Sequence, residues 1–541
     1  MTLSCVSFLA WADEMNSLEK LVAEDEATPV ALGGVEGRPF WNEYSLCFRY
    51  PPAFAFKEKP GAAAYRFEVR DDHQQIYTMT AAKPTAPLTE VWAKIPAGLC
   101  AVNCYALDAA GEIIDRVGSR RFWRSAPFKP GSYPEPKRTY REARDKFIDF
   151  LVDNWGPTRV LYFTGRPDFT YQYNCYPAKI GASLINVMTL AAKVKPEKAE
   201  KALKIAKAEA DYLIEVTPKT GPLAYLAPTY EVHEEGGGHR FAIAVAKKYA
   251  EFTMLRYPAE VAIAMVNLYR ATKEKKYLDF ALSCGETYRR LRRPDGSWPV
   301  VMRYKDGAAV NDQPLLLIER IDFFTKLYEE TGDESWKTME EDVFRFIEKN
   351  QMKTFDWTGQ FEDTMLAEKP YTNLTHHDAI ATALYILKKF PGDPKRLAQA
   401  RELVRFCEDQ FVFWERPCRS DGAGPSDGQA VEGKWYDCTY ASWRCPGVGE
   451  QYACYVPIDA SACRLIRAYL ALDKALGGNA MYAEKARTMG NALVREQLST
   501  GGIHTYWYDD RFVISDACTE IDWLDCMVDD VEALDELVKT E

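Results

Sequence analysis

The sequence predicts a mainly α-helical protein: an (α/α)6 toroid over residues 139–541, preceded by a small β-sandwich of immunoglobulin or fibronectin type over residues 38–128. Three observations carry this. Residues 38–128 alternate apolar and polar side chains with a period of two, as half-buried strands do. From Thr139 onward, segments apolar nearly all round alternate with amphipathic ones. The joins between the two kinds repeat, each a short polar turn followed by an outer helix that starts near an aromatic residue.

Residues 1–37 form an N-terminal extension. Its start, "MTLSCVSFLAWADEMNS", holds a short apolar run and an Ala-x-Ala at Ala10 and Ala12, without Lys or Arg before the run. It reads as a chain end, with a trimmed signal segment as the alternative, so a cytoplasmic location is expected ahead of a periplasmic or secreted one. In "AAYRFEVRDD", Tyr65, Phe67 and Val69 alternate with polar neighbours, and "IYTMTA" is a hairpin partner after the turn at "RDDHQQ". "EVWAKIPAGLCAVNCYALDAAGEII" repeats the pattern with turns at 96–98 and 109–111. Short strands punctuated in this way suggest a sandwich. The proline-rich stretch at 129–138 is a linker.

In the helical region, "AKIGASLINVMTLAA", "AEVAIAMVNLYRA", "QPLLLIERIDFFTKLY", "DAIATALYILKKF" and "DASACRLIRAYLAL" are apolar on every side and must be covered on every side. In "KKYLDFALSCGETYRRL", Tyr277, Ala281, Cys284, Tyr288 and Leu291 share one face, which suits an outer helix. The joins "YRATKEKKYLDFA", "YEETGDESWKTME" and "DKALGGNAMYAEKA" follow one pattern. About twelve helices make six hairpins, and six hairpins closed in a ring form an inner barrel inside an outer one.

Bulk properties exclude several functions. Net charge is 68 − 79 = −11, which argues against a nucleic-acid partner, since that requires a basic patch. No apolar run reaches the roughly 18 residues of a membrane helix, so no membrane partner is expected. None of the 14 Cys forms a CxxC. Cys418, Cys438, Cys445 and Cys454 cluster with spacings wrong for a zinc ribbon. Free buried thiols are expected, and a disulfide within 418–463 stays open for an exported protein. There is no P-loop, and "EEGGGHR" lacks the strand–turn–helix frame of a dinucleotide fingerprint. No cofactor and no metal are expected.

A β-sandwich followed by an (α/α)6 toroid resembles the six-hairpin glycosidase superfamily and the toroidal polysaccharide lyases. The likeness is one of architecture and loop chemistry, and it covers the helical three quarters of the chain. Members acting on uronic acids resemble it most. The resemblance implies a glycoside hydrolase that cleaves a uronic-acid-containing oligo- or polysaccharide by carboxylate acid–base catalysis. A polysaccharide lyase using Tyr, His, Asn and Arg is the alternative, and a non-catalytic carbohydrate-binding protein is the third reading. A sugar epimerase on the same toroid wants more inward His than the six this chain has.

In such a ring the inner helices start at one end, so the loops before them line one cavity. These loops are rich in Tyr and Trp, whose flat faces stack on sugar rings while their polar edges stay wet. "FEDTMLAEKPYTNLTHHDA" stands out: Glu362 and Asp363 precede Tyr371, Asn373, His376 and His377 just ahead of an apolar helix. Asn373 or Thr375 is expected to cap that helix, placing His376, His377 and Asp378 in its first turn. Glycoside hydrolysis needs one protonated and one ionised carboxyl, whereas elimination needs a base and groups that neutralise a uronate. Glu362, Asp363, His376, Asn373 and Tyr230 are the catalytic candidates. Arg256, His233, His239, Tyr371, His377, Tyr176, Tyr455 and Trp357 are the substrate-binding candidates. The bland reading of the His pair is a cap and a packed imidazole; that of Arg256 is a structural pair with Glu260. Arg240 and Arg303 are further candidates for holding a carboxylate. Asp516, Glu520 and Asp522 read as helix-start acids, and the loop 419–428 as surface.

Overall fold

A computed structural model describes residues 3–30, 45, 47–233, 241–363, 371, 373–416, 443–451, 454–507 and 523–541. Helix α1 (Leu3–Glu26) leads into five strands: β1 (Cys47–Phe48), β2 (Ala64–Arg70), β3 (Ile76–Ala81), β4 (Gly98–Leu107) and β5 (Ile113–Arg124), with the short helix α2 (Thr89–Trp92) between β3 and β4. The strands pair in the order β1-β5-β4-β2-β3, antiparallel except for β1 against β5.

The period-two pattern sets the register. Phe67 lies opposite Cys104 and Val69 opposite Val102, and all four are buried on one face. The sandwich was expected to close with a facing sheet. Among the described residues the strands make one sheet, and its apolar face is covered by Phe54, Phe56 and Trp92, whose rings pack on Phe67 and Phe122. Large aromatic side chains from loops can bury such a face without a second ladder.

The helical region begins with α3 (Tyr140–Asp149) and α4 (Gly156–Thr164). Hairpins follow: α5 (Pro177–Val194) with α6 (Ala199–Val216), then, after the short α7 (Phe241–Tyr249), α8 (Arg256–Thr272) with α9 (Lys275–Leu291). Next come α10 (Asp322–Thr331) with α11 (Glu334–Lys349), and, after the short α12 (Gln351–Thr354), α13 (His377–Lys389) with α14 (Pro394–Phe411). The last are α15 (Asp459–Ala475) with α16 (Ala480–Arg495), and finally α17 (Met527–Val538). Neighbouring inner helices touch in the order α5, α8, α10; the 3-10 turn at 318–320 that leads into α10 touches α13; and α13, α15 and α17 follow in contact, with α17 returning to α5. Helix α3 packs on α17, so the sixth hairpin joins the first and last helices of the domain. This is an (α/α)6 toroid.

One expected inner helix is shorter than its sequence suggested. In "QPLLLIERIDFFTKLY" the first residues are extended, 318–320 form one 3-10 turn and α10 starts only at Asp322. There Leu315 N donates to the Trp298 carbonyl and Leu316 N to Gln360 Oε1, so sheet-like pairing wins over helix.

The two ends of the ring differ. Inner-to-outer turns are tight and marked by left-handed residues, Lys273 and Gly332 among them. Asp333, Asp393 and Asn479 cap the outer helices that follow such joins, and Thr139 caps α3. Outer-to-inner connections are long and gather at the opposite end. There the six inner helices start without a side-chain cap. Their uncapped N–H groups and dipoles favour negative charge at this mouth. Among the described residues two antiparallel ladders, β6 (Phe252–Met254) with β7 (Val301–Arg303), and β8 (Val412–Phe413), β9 (Gly447–Gln451) and β10 (Cys454–Pro457), belong to these connections.

The sheet and α1 are clamped to the ring by buried charge. Asp409 accepts from Arg49 N and Tyr50 N at 2.7 and 2.8 Å. Asp25 at the end of α1 accepts from Arg405 Nε at 3.1 Å and Tyr50 OH at 3.0 Å. No helix among the described residues is long and apolar enough to cross a membrane.

Candidate active site

Glu362 lies at the centre of the mouth and is buried. Lys179, in the first turn of α5, places Nζ 2.7 Å from Glu362 Oε1 and 3.1 Å from Asp525 Oδ2. The Tyr257 hydroxyl donates to Glu362 Oε2 and accepts the Glu362 N–H at 3.2 Å. Tyr230 donates to the Glu362 carbonyl at 2.8 Å. Burial pushes the Glu362 carboxyl up, but Lys179 and the Tyr257 hydrogen bond outweigh it and hold the group below the usual range. Tyr176 packs edge-on against Tyr230, and its buried hydroxyl has no partner among the described residues.

A second acid has the opposite character. Glu450, on the fully buried β9, is pushed up to about 8 by burial and then by the negative Asp363, with Lys179 opposing. Glu362 and Asp525 add to its rise. One cluster thus holds a carboxylate kept ionised and a carboxyl kept protonated at neutral pH, the division of roles that acid–base catalysis requires. An aromatic arc stands beside it. The Trp523 ring covers Lys179 Nζ at 5.0 Å and Trp523 Nε1 donates to Tyr173 OH at 2.8 Å, with Tyr171 against Tyr173.

Below lies a layer of paired charge. Glu319 receives Arg256, Arg320 and Arg464. Arg256 also reaches Asp378 at 3.4 Å, Arg320 reaches Glu260 at 2.9 Å and Arg464 reaches Asp529 at 2.9 Å. The bland alternative for Arg256, a structural pair with Glu260, takes other partners: Glu260, one turn into α8, receives Arg320, because the η-nitrogens of Arg256 point to Glu319 and to Asp378 of α13. Arg464 Nη1 lies 2.7 Å from His377 Nε2, and His376 Nε2 lies 2.8 Å from Ser461 Oγ. Burial, then Arg464, drives both imidazoles well below their usual pKa, so both are neutral. Among the described residues no three His, Cys, Asp or Glu side chains gather as metal ligands.

The cap of α13 differs from expectation. His376, not Asn373 or Thr375, is its N-cap residue. Backbone bridges from Leu374 to Thr358 and from Thr375 to Gln451 hold that segment extended up to the helix. The Thr375 hydroxyl does accept the His377 N–H at 3.3 Å, and Asn373 Nδ2 donates to Gln451 Oε1 at 3.2 Å.

The other candidates scatter. Tyr371 is buried with its hydroxyl on the Thr354 carbonyl, and Trp357 is fully buried. His233 stacks on Phe169 with centroids 3.7 Å apart. Arg303 pairs with Asp306 in a surface turn. His239, Arg240, Asp516, Glu520, Asp522, Cys418, Cys438, the loop 419–428 and the side chains of Cys454 and Tyr455 lie outside the described residues. The described cysteines, Cys445 included, are free thiols.

Lys179, Tyr257, Glu450 and Asp525 are the residues that sequence reasoning missed. Only Glu450 carried a local signal, a lone acid in the small and apolar run "PGVGEQ".

The ring is an (α/α)6 toroid, and its acid-lined mouth fits a carbohydrate-active enzyme of that type. The sequence comparison agrees, since residues 257–416, under a third of the chain, match the family described as the ulvan lyase N-terminal domain. No curated protein sequence matches the chain. Similar solved structures include a family 76 glycoside hydrolase from a bovine Bacteroides thetaiotaomicron strain, 11% identical with a TM-score of 0.41, covering 90% of this chain and 94% of that one. A cellobiose 2-epimerase from Spirochaeta thermophila DSM 6192 is 11% identical with a TM-score of 0.47, covering 74% and 98%. An unsaturated glucuronyl hydrolase specific for heparin is 11% identical with a TM-score of 0.44, covering 74% and 96%.

Proposed function

We propose that the protein is a glycoside hydrolase acting on a uronic-acid-containing polysaccharide, with Glu450 as general acid and Glu362 as the ionised base or nucleophile. The observation that carries this is the opposed ionisation of the two acids within one buried cluster. Lys179 and Tyr257 keep Glu362 charged, and burial keeps Glu450 protonated until the leaving oxygen needs the proton. Asp363 borders Glu450, Asn373 holds its neighbour Gln451, and the arc of Tyr171, Tyr173 and Trp523 offers faces to the sugar. Arg256 and His377 act from below, through the charge layer, while His376 bonds Ser461.

A second reading, a lyase cleaving a uronate polymer by β-elimination, is favoured by the match to a domain named for ulvan lyase. There a tyrosine, Tyr230 or Tyr257, would carry the proton.

The deciding experiment follows reducing ends and the ultraviolet absorbance of unsaturated ends together on uronic-acid polymers. Hydrolysis yields only the former. Glu450→Gln and Glu362→Gln should each lower kcat by roughly 10²–10⁴, with Tyr230→Phe and Tyr257→Phe mild. Unsaturated product, with the tyrosine variants crippled and the acid variants active, would replace the first reading by the second.

A further inference from the structure

A second polar concavity opens on the same rim as the mouth. It is a groove of about 460 Å³ between the segment after α9 and the C-terminal end of α11. Outer helices run against inner ones, so the C-terminal ends of α9 and α11 lie at the end where inner helices start. The segment that leaves the groove is tied to the site, Trp298 lying two positions after the lining residue Gly296. Leu315 N bonds the Trp298 carbonyl at 2.7 Å and Leu316 N bonds Gln360 Oε1 at 2.9 Å. Gln360 is two residues from Glu362.

The lining carries three basic side chains, Arg292, Arg345 and Lys349, in a chain of net charge −11. Asp342, 3% exposed in its side chain, anchors two guanidiniums: Arg345 Nη1 at 2.6 Å from Oδ1, and Arg292 Nη2 on Oδ2. Each fork is fixed by one nitrogen, and its other N–H groups have no protein partner among the described residues. Lys349 adds a third cation, without an ion pair among the described residues. Asp295 also lines the groove, but its Oδ1 is taken by Ser297 N at 2.9 Å and Ser297 Oγ at 2.7 Å. Three cations face two committed carboxylates, and the C-terminal dipoles of α9 and α11 each subtract about half a charge, so an anion would be held by the free donors of Arg292, Arg345 and Lys349 and not by net charge. Phe346 supplies a half-buried aromatic wall.

We infer that this groove binds an acidic sugar unit of a polysaccharide whose neighbouring units reach the mouth. Guanidinium forks match a carboxylate in two-point geometry, the aromatic wall suits a pyranose face, and the volume falls within that of small-ligand sites, about 300–1,000 Å³. The inference rests on the reading that the substrate is an acidic polysaccharide.

The test is affinity electrophoresis of the whole protein in gels of polygalacturonate, alginate or heparin, with fully methyl-esterified polygalacturonate as the uncharged control. Lys349→Glu and Arg345→Gln change exposed side chains, and Arg292 still pairs with Asp342 in both. Wild type should bind an acidic polymer in a salt-sensitive way, and each variant should bind about tenfold more weakly or worse, with kcat on a small aryl glycoside unchanged. Equal binding by variants and wild type overturns the proposal. So does equal binding of the esterified polymer, or no binding of any of the three acidic polymers. If no glycoside or polymer is cleaved but Lys349-dependent binding persists, the groove stands and the hydrolase reading falls. Cleavage with Lys349-independent binding does the reverse.

Discussion

Glu450 and Glu362 differ by neighbours, not by kind. Both are buried glutamates, yet one has Lys179 at hydrogen-bond distance and the other faces Asp363. In the hydrolase scheme the rate needs Glu450 protonated and Glu362 ionised. The rate should therefore fall as pH rises through about 8, and fall again as pH drops through the depressed pKa of Glu362. Lys179→Met removes the cation that favours ionised Glu362, so the acid limb should move to higher pH, and the alkaline limb should move up with it because Lys179 also holds the Glu450 pKa down. Steady-state pH–rate profiles of both proteins check this. A wild-type profile flat through pH 8, or an acid limb unmoved in the variant, would count against the assignment. None of this could be read from "FEDTMLAEKP". The sequence singles out Glu362, but its pKa is set by Lys179 and Tyr257, each more than a hundred residues away in the chain.

The helices argue at the scale of elements. All-round apolarity in "AKIGASLINVMTLAA" and "DASACRLIRAYLAL" marks inner helices, because only a segment covered on every side can afford it. The outer helix α9 shows the converse, with Tyr277, Ala281, Cys284 and Tyr288 buried on one face. Gly285 lies on that face. A Cβ there would meet Leu327 Cδ1 at 2.6 Å and a Trp336 ring carbon at 2.8 Å. Gly→Ala in a free helix stabilises by roughly 0.5–1 kcal/mol. Here overpacking should reverse the sign and cost about 1–3 kcal/mol. A urea midpoint unchanged or raised in Gly285→Ala would show that α9 can shift away from α10 and α11. The boundaries of α10 and the cap of α13 were not legible, since backbone pairing with Trp298 and Gln451 overrides local preference there.

At the scale of the molecule, the N-terminal segments are locked to the ring by ions that few local patterns announce. Asp25 sits among Arg401, Arg405 and Lys485, with its side chain 1% exposed. Removing one partner of such a network leaves the others charged and buried, so Asp25→Ala should cost about 3–5 kcal/mol. Denaturant unfolding measures it, and a loss under 1 kcal/mol would mean that water or neighbouring acids replace Asp25.

The sequence by itself determined that strands precede the helices of the ring, that those helices alternate between covered and half-covered, and that their number suits a ring of six hairpins; it did not announce α1 ahead of the strands. Periodicity is local, and burial leaves its mark on each residue in turn. Tertiary structure decided the rest. It paired α3 with α17 to close the ring, covered the single sheet with loop aromatics and turned the mouth-side arginines onto carboxylates. It also brought Glu450, Lys179 and Asp525 to Glu362. Those are matters of distance between residues far apart in the chain, and electrostatic energy depends on that distance and on burial, which no run of neighbouring letters encodes.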